Sequence, residues 1–414
     1  MAIDICIRGA GVVGKVLALL LARQRLRVGL VQNVASGVRA EPDVRSFALN
    51  AASKALLESL RAWPTDSAHV CPVQHMRVQG DDGGLVQFAA GTRSDVRSDV
   101  RSDAQPDTQP DAPNPANALA WIVDAAALDA RLSAALEFAP EVQWLNSPEG
   151  CPLTVICEGK ASATRAALGV EFEQFAYQQT AIAAQVCAEL PHHHTAWQWM
   201  GGSGQPGSTQ GATYQGQGLG EICAFLPRGV SAPGNSVALV WSVKHDHALQ
   251  LQDMDDASFC AALQTACGHV LGALTMASKR AVWPLQIALA TRWVGKGIGT
   301  DSAAAWALAG DAAHTVHPLA GQGLNLGLAD AAELAKVIAD KEYFRSLNDM
   351  RLLRRYERAR KLDASTLRLA TDGLQRLFAH DDVRVRALRN WGMAGFERFA
   401  PLKAAVIRRA MGVG

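Results

Sequence analysis

The 414-residue sequence has no apolar run long enough to cross a membrane. Runs such as Val16–Ala22 reach only seven residues, whereas a spanning helix needs about 18. Charge of one sign is not in excess either, since 40 lysines and arginines stand against 39 aspartates and glutamates. A dedicated nucleic-acid-binding protein carries a basic surplus, so we expect no nucleic acid partner. The hydrophobic fraction of 49% instead predicts a folded chain of two or three domains.

Cysteine motifs and targeting signals are missing as well. The eight cysteines are scattered singly and none forms C-x-x-C, so the sequence favours neither a zinc site nor a disulfide framework. Asp4, followed directly by a glycine motif, does not fit a signal peptide. We therefore expect a cytoplasmic protein whose cysteines are buried thiols.

The first motif that carries chemistry stands at the N-terminus. Ile3–Arg8 has the pattern of a buried strand, Val16–Arg23 that of a buried helix, and Arg27–Gln32 that of a second strand. Three glycines separate the first strand from the helix: Gly9, Gly11 and Gly14. A βαβ unit of this kind binds a dinucleotide pyrophosphate at the helix N-terminus. Gln32 ends the second strand, where an acidic residue usually binds the ribose.

A second motif follows 300 residues later. Ala305–Ala309 is predicted to be a buried strand that delivers Asp311 at its end, and a Gly-Gln-Gly loop then opens the predicted helix Leu324–Asp340. An aspartate in this place accepts hydrogen bonds from a polyol chain. The loop amides and the helix dipole stabilise negative charge on a ring. These are the requirements of a flavin, with its ribityl chain and its anionic reduced ring.

Together the two motifs resemble the aromatic-hydroxylase class of FAD monooxygenases and, more narrowly, the ubiquinone-biosynthesis hydroxylases. Shorter matches extend the resemblance over the chain: Asp43–Leu49, Tyr177–Ala181, Phe225–Pro227, Trp283–Leu285 and Ala400–Lys403. The resemblance implies an enzyme in which NAD(P)H reduces FAD and O2 forms a C4a-hydroperoxyflavin. The implied substrate is an isoprenoid-tailed phenol that is hydroxylated on the route to ubiquinone.

The resemblance also assigns roles to residues. Arg45 and Pro318 are the predicted catalytic residues beside the flavin, and no metal ligand is predicted. The predicted cofactor-binding residues are Gly9, Gly11, Gly14, Gln32, Arg45, Glu158, Gly310, Asp311, Pro318, Gly321, Gln322, Gly323, Leu324 and Asn325.

Four features depart from the family pattern, all in the predicted FAD-binding part. Gln32 stands where an acidic residue is usual, and Glu158 stands where the family has aspartate. Ala125–Ala127 lacks an arginine or glutamine, and the stretch between Trp144 and Val155 is short. These departures leave open a degenerate, non-catalytic relative that acts as an accessory or binding subunit of the same pathway. A nicotinamide-only dehydrogenase is a third hypothesis, although it leaves the second motif unexplained.

The predicted fold class is α/β, with a Rossmann-like FAD-binding domain of the para-hydroxybenzoate-hydroxylase type, an inserted antiparallel β-sheet substrate domain and a helical C-terminal tail. The segment 92–117 repeats Arg-Ser-Asp and Gln-Pro-Asp with almost no apolar residues, which predicts a disordered insert. The predicted boundaries are 1–72, 118–174 and 280–342 for the FAD-binding domain, 73–91 and 175–279 for the substrate domain, and 343–414 for the C-terminal helical region.

Three further features each allow two interpretations. From Arg345 to Gly414 there are sixteen basic and seven acidic residues, a local charge of +9. This tail is either a solvated helical face or a contact with another pathway protein or the inner face of a membrane. We expect His192–His194 to form a solvated turn, and His314 and His317 to cap and pack, rather than to bind metal. Trp197 and Trp199 line either an aromatic pocket or a sheet core.

Overall fold

A computed structural model describes residues 2–32, 43–80, 85–90, 118–147, 150–200, 221–229, 235–298, 301–315 and 322–363. The predicted insert 92–117, most of the predicted C-terminal region, and Pro318, Gly321 and His317 lie outside these ranges, as do the side chains of Gln322 and of residues 175–178. The helices are α1 (Val12–Arg23), α2 (Ala51–Ser59), α3 (Ala125–Glu137), α4 (Ala163–Ala167), α5 (His245–Asp253), α6 (Asp256–Ala266), α7 (Gln322–Ala339) and α8 (350–363).

The strands form three sheets. They are β1 (Ile5–Arg8), β2 (Val28–Val31), β3 (Ser46–Leu49), β4 (Val70–Val73), β5 (His75–Gln79), β6 (Leu85–Ala89), β7 (Ala120–Asp124), β8 (Val142–Leu145), β9 (Leu153–Ile156), β10 (Phe172–Ala188), β11 (Thr195–Met200), β12 (Ile222–Pro227), β13 (Ser236–Lys244), β14 (Leu274–Met276), β15 (Ala281–Ala290), β16 (Val294–Ile298), β17 (Asp301–Leu308) and β18 (His314–Thr315).

The six-stranded sheet has the order β16-β17-β9-β1-β2-β8. All of its neighbours are parallel except β16 and β17. Strand β1, helix α1 and strand β2 form the predicted βαβ unit, with Ile5 paired to Val28. Helices α1, α3 and α7 pack on the face of this sheet that carries Ile5 and Ile7. This arrangement confirms the predicted α/β fold class.

The nine-stranded sheet has the order β18-β15-β10-β13-β12-β11-β5-β6, with β14 attached to β10. Its long central pair, β10 and β13, is antiparallel from Gln179 opposite Lys244 to Cys187 opposite Ser236. Strand β15 also pairs with β10, although the predicted boundary at residue 280 assigns it to the FAD-binding domain. The domain boundaries as a whole stay a prediction. A third sheet has the order β3-β7-β4.

Two hydrophobic cores correspond to the two large sheets. The first lies between the six-stranded sheet and its helices, and it includes Leu352, Leu353 and Tyr356 of α8. The second lies between the nine-stranded sheet and helices α5 and α6. The predicted helix Asp256–Gly272 is too long, because Gly268 and His269 adopt positive φ angles of 63° and 56° that end α6 at Ala266. Among the described residues, no helix is long and apolar enough to cross a membrane.

Candidate functional site

The site begins at the carboxyl edge of the six-stranded sheet. The strands β1, β9 and β17 are parallel neighbours, and their last residues Arg8, Ile156 and Leu308 are in register. The segments that follow the three strands therefore leave the sheet at one edge. Ligands of open α/β sheets bind at this edge. Both predicted motifs follow these strands, so the fold brings them together.

The three glycines after β1 have three different surroundings. Gly9 has φ +110°, and a Cβ there would lie 2.4 Å from the carbonyl oxygen of Cys157. A Cβ on Gly14 would lie 1.9 Å from the carbonyl oxygen of Gly9, so strand and helix pack closely. Gly11, the N-cap of α1, has nothing within 4 Å of its Cβ position. Two glycines are thus needed by the fold itself, and the third leaves open space at the helix N-terminus.

Val13 joins the two motifs. Its side chain lies against Gly310 and Gly327, where an added Cβ would approach it to 3.2 Å and 2.7 Å. Glycine at both positions lets α1 lie directly against the turn after β17 and against α7. The pyrophosphate-type loop and the Asp311 turn are therefore adjacent walls of one site.

Asp311 is the exposed acid of this site. It lies in a short 3-10 turn, Gly310–Ala312, and it is exposed to solvent. Partial desolvation raises the pKa of Asp311, while the charges of His314, Arg45 and Lys160 counteract the rise. An exposed carboxylate at this edge of the sheet is available to accept hydrogen bonds from a ligand. Lys160 was not among the sequence predictions, because no motif marks it.

Arg45 lies where the two large sheets meet. Its guanidinium is half exposed and forms an ion pair with Asp43 at 2.7 Å, and it stacks over Phe47 at 5.8 Å from the ring centre. The preceding residue, Val44, accepts a hydrogen bond of 3.2 Å from Gln185 of β10. The Asp43 pair raises the pKa of Arg45, and the charge of Asp311 adds to the rise. Arg45 therefore brings a permanent positive charge to the space beside Asp311.

The Glu158 carboxylate forms hydrogen bonds with other groups of the protein. Its carboxylate accepts hydrogen bonds from Arg8 at 3.0 Å, from Ser162 at 2.7 Å and from the hydroxyl of Thr164 at 2.6 Å, and its side chain is 2% exposed. Burial opposes ionisation, but these donors outweigh it and lower the pKa of Glu158. Ser162 also caps α4 through the amide of Arg165. The geometry thus gives Glu158 a role in shaping the loop after β9.

Asn325 is likewise engaged in positioning. Its side-chain oxygen accepts hydrogen bonds from the amide of Asn50 at 3.0 Å and from the hydroxyl of Ser53 at 2.7 Å. Its amide nitrogen donates to the carbonyl of Ala48 at 2.8 Å. The residue fixes the start of α2 and the end of β3 to α7. Among the other predicted positions, Gln32 directly follows β2 and is exposed, and Gly323 and Leu324 lie in the first turn of α7.

A buried carboxylate beneath the Asp311 turn was not predicted. Asp330 of α7 is fully buried and accepts hydrogen bonds from the amide of Gly310, from His314 Nε2 and from Arg360 Nε. His314 is thereby buried and stacked on Trp293, in accord with the packing interpretation. The sequence signal for this network is only an aspartate and an arginine inside amphipathic helices, 30 residues apart.

The remaining candidates lie away from this edge. Trp199 packs edge-on against Phe225 in the second core, and Trp197 packs against the same core, which favours the sheet-core interpretation. His192 is buried against the carbonyl of Arg228, and burial lowers its pKa to about 4. His194 lies between Pro72 and Cys71, so the histidine turn is packed rather than fully solvated.

The site fits a flavin dinucleotide. The open space at Gly11 suits a pyrophosphate at a helix N-terminus. Asp311 suits the hydroxyls of a ribityl chain, and Arg45 adds positive charge where a reduced flavin ring is negative. Gly11, Asp311 and Arg45 are the residues that would hold the group, and Gly9, Gly14, Glu158 and Asn325 support them.

Comparisons with known proteins agree with this geometry. Residues 146–368, more than half of the chain, match the family described as FAD binding domain. Ubiquinone hydroxylase UbiL of Rhodospirillum rubrum is 28% identical, with 99% of this chain and 89% of the relative covered. The 3-demethoxyubiquinol 3-hydroxylase of Escherichia coli is 27% identical, with 99% and 98% covered.

Solved structures share the fold. PqsL, a probable FAD-dependent monooxygenase from Pseudomonas aeruginosa, has a TM-score of 0.67 and 19% identity over 95% of this chain and 99% of its own. The p-nitrophenol 4-monooxygenase PnpA of Pseudomonas putida has a TM-score of 0.67 and 15% identity over 99% and 98%. The family match and the curated relatives confirm the predicted flavin monooxygenase class and its FAD cofactor, against a nicotinamide-only dehydrogenase. The chain belongs to the family of proteins that carry this FAD-binding domain.

Proposed function

We propose that the protein hydroxylates an isoprenoid-tailed phenol on the route to ubiquinone, with NAD(P)H as the reductant and O2 as the oxygen source. The observation that carries the proposal is the proximity of Arg45 to Asp311, whose turn adjoins the start of α1 through Gly310 and Val13. Relatives named as ubiquinone-pathway hydroxylases that align over 99% of the chain support the substrate class.

The sheet face beside Arg45 supports an apolar aromatic substrate. The bond from Gln185 to Val44 identifies the face of β10 that is turned toward Arg45. Alternate residues of a strand share a face, so Ala181 and Ala183 lie on it, and their cross-strand partners Ser242 and Val240 lie beside them. These side chains are small and mostly apolar, whereas the opposite face carries Trp241 and Phe225 under helices α5 and α6. Ala181, Ala183 and Ser242 are buried, so they form an apolar lining rather than an open surface, and a lining of this kind suits a flat ring with a hydrocarbon tail.

Each described residue then has a definable task. When bound, FAD supplies the redox chemistry and the activation of O2. The amides at the start of α1 bind its phosphates, and Asp311 accepts hydroxyl hydrogen bonds. Arg45 stabilises negative charge at the junction. Its ion pair with Asp43 and the Gln185 bond to Val44 hold it there.

The substrate assignment is tested with purified protein, FAD, NAD(P)H and an isoprenoid-tailed phenol under ¹⁸O2. We expect a product heavier by one ¹⁸O atom, detected by mass spectrometry, and none when NAD(P)H is omitted. NAD(P)H consumption with no labelled product from any ubiquinone-pathway phenol would reject the substrate class.

We further propose contact of α8 with an anionic membrane surface. Arg351, Arg354 and Arg358 are exposed along this helix, and no acidic side chain of the described residues pairs with them. Tyr343 and Phe344, 94% and 68% exposed, form an edge-to-face pair just before it. Arginines attract anionic headgroups, and aromatic rings favour the interface.

A charge-removal variant tests this contact. Glutamine at Arg351, Arg354 and Arg358 is expected to weaken sedimentation with phosphatidylserine-containing vesicles, by about 1 kcal/mol for each arginine. The control carries glutamine at three exposed arginines outside α8: Arg25, Arg77 and Arg292. Equal sedimentation of wild type and the α8 variant would reject the membrane contact.

A further inference from the structure

We propose that Asp330 and Arg360 are positioning residues that hold the Asp311 turn in its FAD-binding conformation, so that helix α8 is part of the cofactor site's support. The inference rests on the role of Asp311 toward FAD given above. It concerns no contact of Asp330 or Arg360 with the cofactor itself.

One oxygen atom holds both ends of the turn. Asp330 Oδ2 accepts a hydrogen bond of 2.9 Å from the amide of Gly310 and one of 2.6 Å from His314 Nε2. Gly310 precedes Asp311, and His314 follows three residues later. Gly310 also has φ +64°, a conformation that other residues rarely adopt. Movement of the Asp330 carboxylate would therefore shift the backbone on both sides of Asp311.

Arg360 fixes the other oxygen. Its Nε donates to Asp330 Oδ1 at 2.7 Å, and another guanidinium nitrogen donates to Asp363 at 2.6 Å. Arg360 lies on α8, whereas Asp330 lies on α7 and His314 follows the strand β17. Helix α8 thus helps to orient the Asp330 carboxylate, which Gly310 and His314 also contact. A second contact of α8 reaches the same strand end, since the Tyr356 hydroxyl donates to the carbonyl of Leu308 at 2.7 Å.

The burial of these charges points to positioning rather than to stability alone. Asp330 is fully buried and Arg360 is 6% exposed. Burial disfavours the ionised carboxylate, but His314 and Arg360 outweigh it and lower the pKa of Asp330. A buried ion pair typically contributes little net stability over apolar residues of the same volume, because desolvation offsets the attraction. Its directional hydrogen bonds, in contrast, define one geometry for the turn.

His314 links the Asp330 carboxylate to the backbone after Asp311 through one hydrogen bond. Nε2 donates its proton to Asp330, while Nδ1 is buried with no partner among the described residues. The imidazole ring is also stacked on Trp293, with 5.1 Å between ring centroids and 26° between planes. Ring rotation would break the bond to Asp330 and disturb this stack. The ring therefore acts as a rigid link between the carboxylate and the chain after Asp311.

The decisive variant removes both charges together, because an unpaired buried charge can prevent folding. In D330N/R360Q neither Asp330 nor Arg360 leaves the other as an unpaired buried charge, and the Asp363 carboxylate that loses Arg360 is 55% exposed. We expect a folded protein whose Kd for FAD, measured by flavin fluorescence quenching, rises about 10-fold to 100-fold, the effect of weakened charge-assisted hydrogen bonds. The control R355Q changes an exposed arginine of the same helix, paired only with the surface residue Glu342, and should keep the wild-type Kd.

A second variant, R360K, tests the inference if the double variant does not fold. R360K keeps the charge but offers a single donor group without the guanidinium geometry, so we expect an intermediate Kd and a wild-type melting temperature. Wild-type Kd values in D330N/R360Q, or in R360K if the double variant does not fold, would overturn the inference while leaving the proposed function intact. A wild-type protein that binds no FAD would instead refute the proposed function, and this inference with it.

Discussion

Replacing Gly14 with alanine is expected to lower the free energy of unfolding of the FAD-free protein by about 3 kcal/mol or more, the upper range for overpacking. The new Cβ would lie 1.9 Å from the carbonyl oxygen of Gly9. That neighbour is backbone, so no side-chain rotation relieves the clash. Strand β1 and helix α1 would have to separate, and the βαβ unit would lose its close packing. Urea unfolding followed by circular dichroism measures the change.

Gly11→Ala, three residues earlier in the sequence, is the matched control. Its Cβ position has no atom within 4 Å, and its φ of −75° suits alanine. We expect a stability loss below about 1 kcal/mol, the cost of alanine at an N-cap, together with an FAD Kd about tenfold or more above wild type. Equal destabilisation by the two substitutions would contradict the different roles assigned to these glycines.

Asp311→Ala is expected to raise the Kd for FAD about 100-fold, because each hydrogen bond to a charged group contributes about 1.5–3 kcal/mol. Asp311→Asn keeps an acceptor oxygen and should fall between alanine and wild type. The measurement is fluorescence titration of the FAD-free protein. Asp253→Ala, an exposed aspartate at the end of α5, serves as control and should leave the Kd unchanged.

Replacing Asp311 weakens FAD binding, but we expect it to stabilise the FAD-free protein at neutral pH. The pKa of Asp311 is raised in the folded protein, so ionisation of this group costs the folded state stability. That cost is absent below the unfolded-state pKa and develops as pH rises through the folded-state pKa. Asp311→Asn should therefore melt above wild type at pH 7, and the difference should vanish toward pH 3, within the range of an ordinary aspartate pKa of about 3.9. A variant that melts below wild type at pH 7 would contradict this sign.

Local patterns in the sequence were sufficient for the architecture. The strand, glycine turn and helix at the N-terminus predicted β1 and α1, and an apolar strand before Gly310 predicted β17. Parallel strands place their carboxyl ends at one edge, so the proximity of the two motifs followed from the fold class. The antiparallel sheet could also be predicted, because apolar and polar residues alternate along its strands and turn residues follow them.

Tertiary partners were not predictable from spacing. The motifs predict that Glu158 and Asn325 bind the cofactor, and this stays a prediction; what the motifs did not indicate are their bonds to Arg8, Ser53 and other protein groups. A sequence cannot tell whether a polar side chain contacts ligand or protein, since both need the same donors and acceptors. Asp330 and Arg360 meet only because α7 and α8 pack together, and nothing local distinguishes them from residues of a solvated helix face.

The measurement that tests the account most directly is the visible absorption spectrum of the purified protein, recorded with and without added FAD. We expect the bands of bound flavin, their loss on addition of NAD(P)H without air, and their return when air is admitted. This cycle would establish that the site formed by Gly11, Asp311 and Arg45 holds a redox-active flavin open to O2. A protein that shows no bound flavin even with FAD in excess would contradict the account.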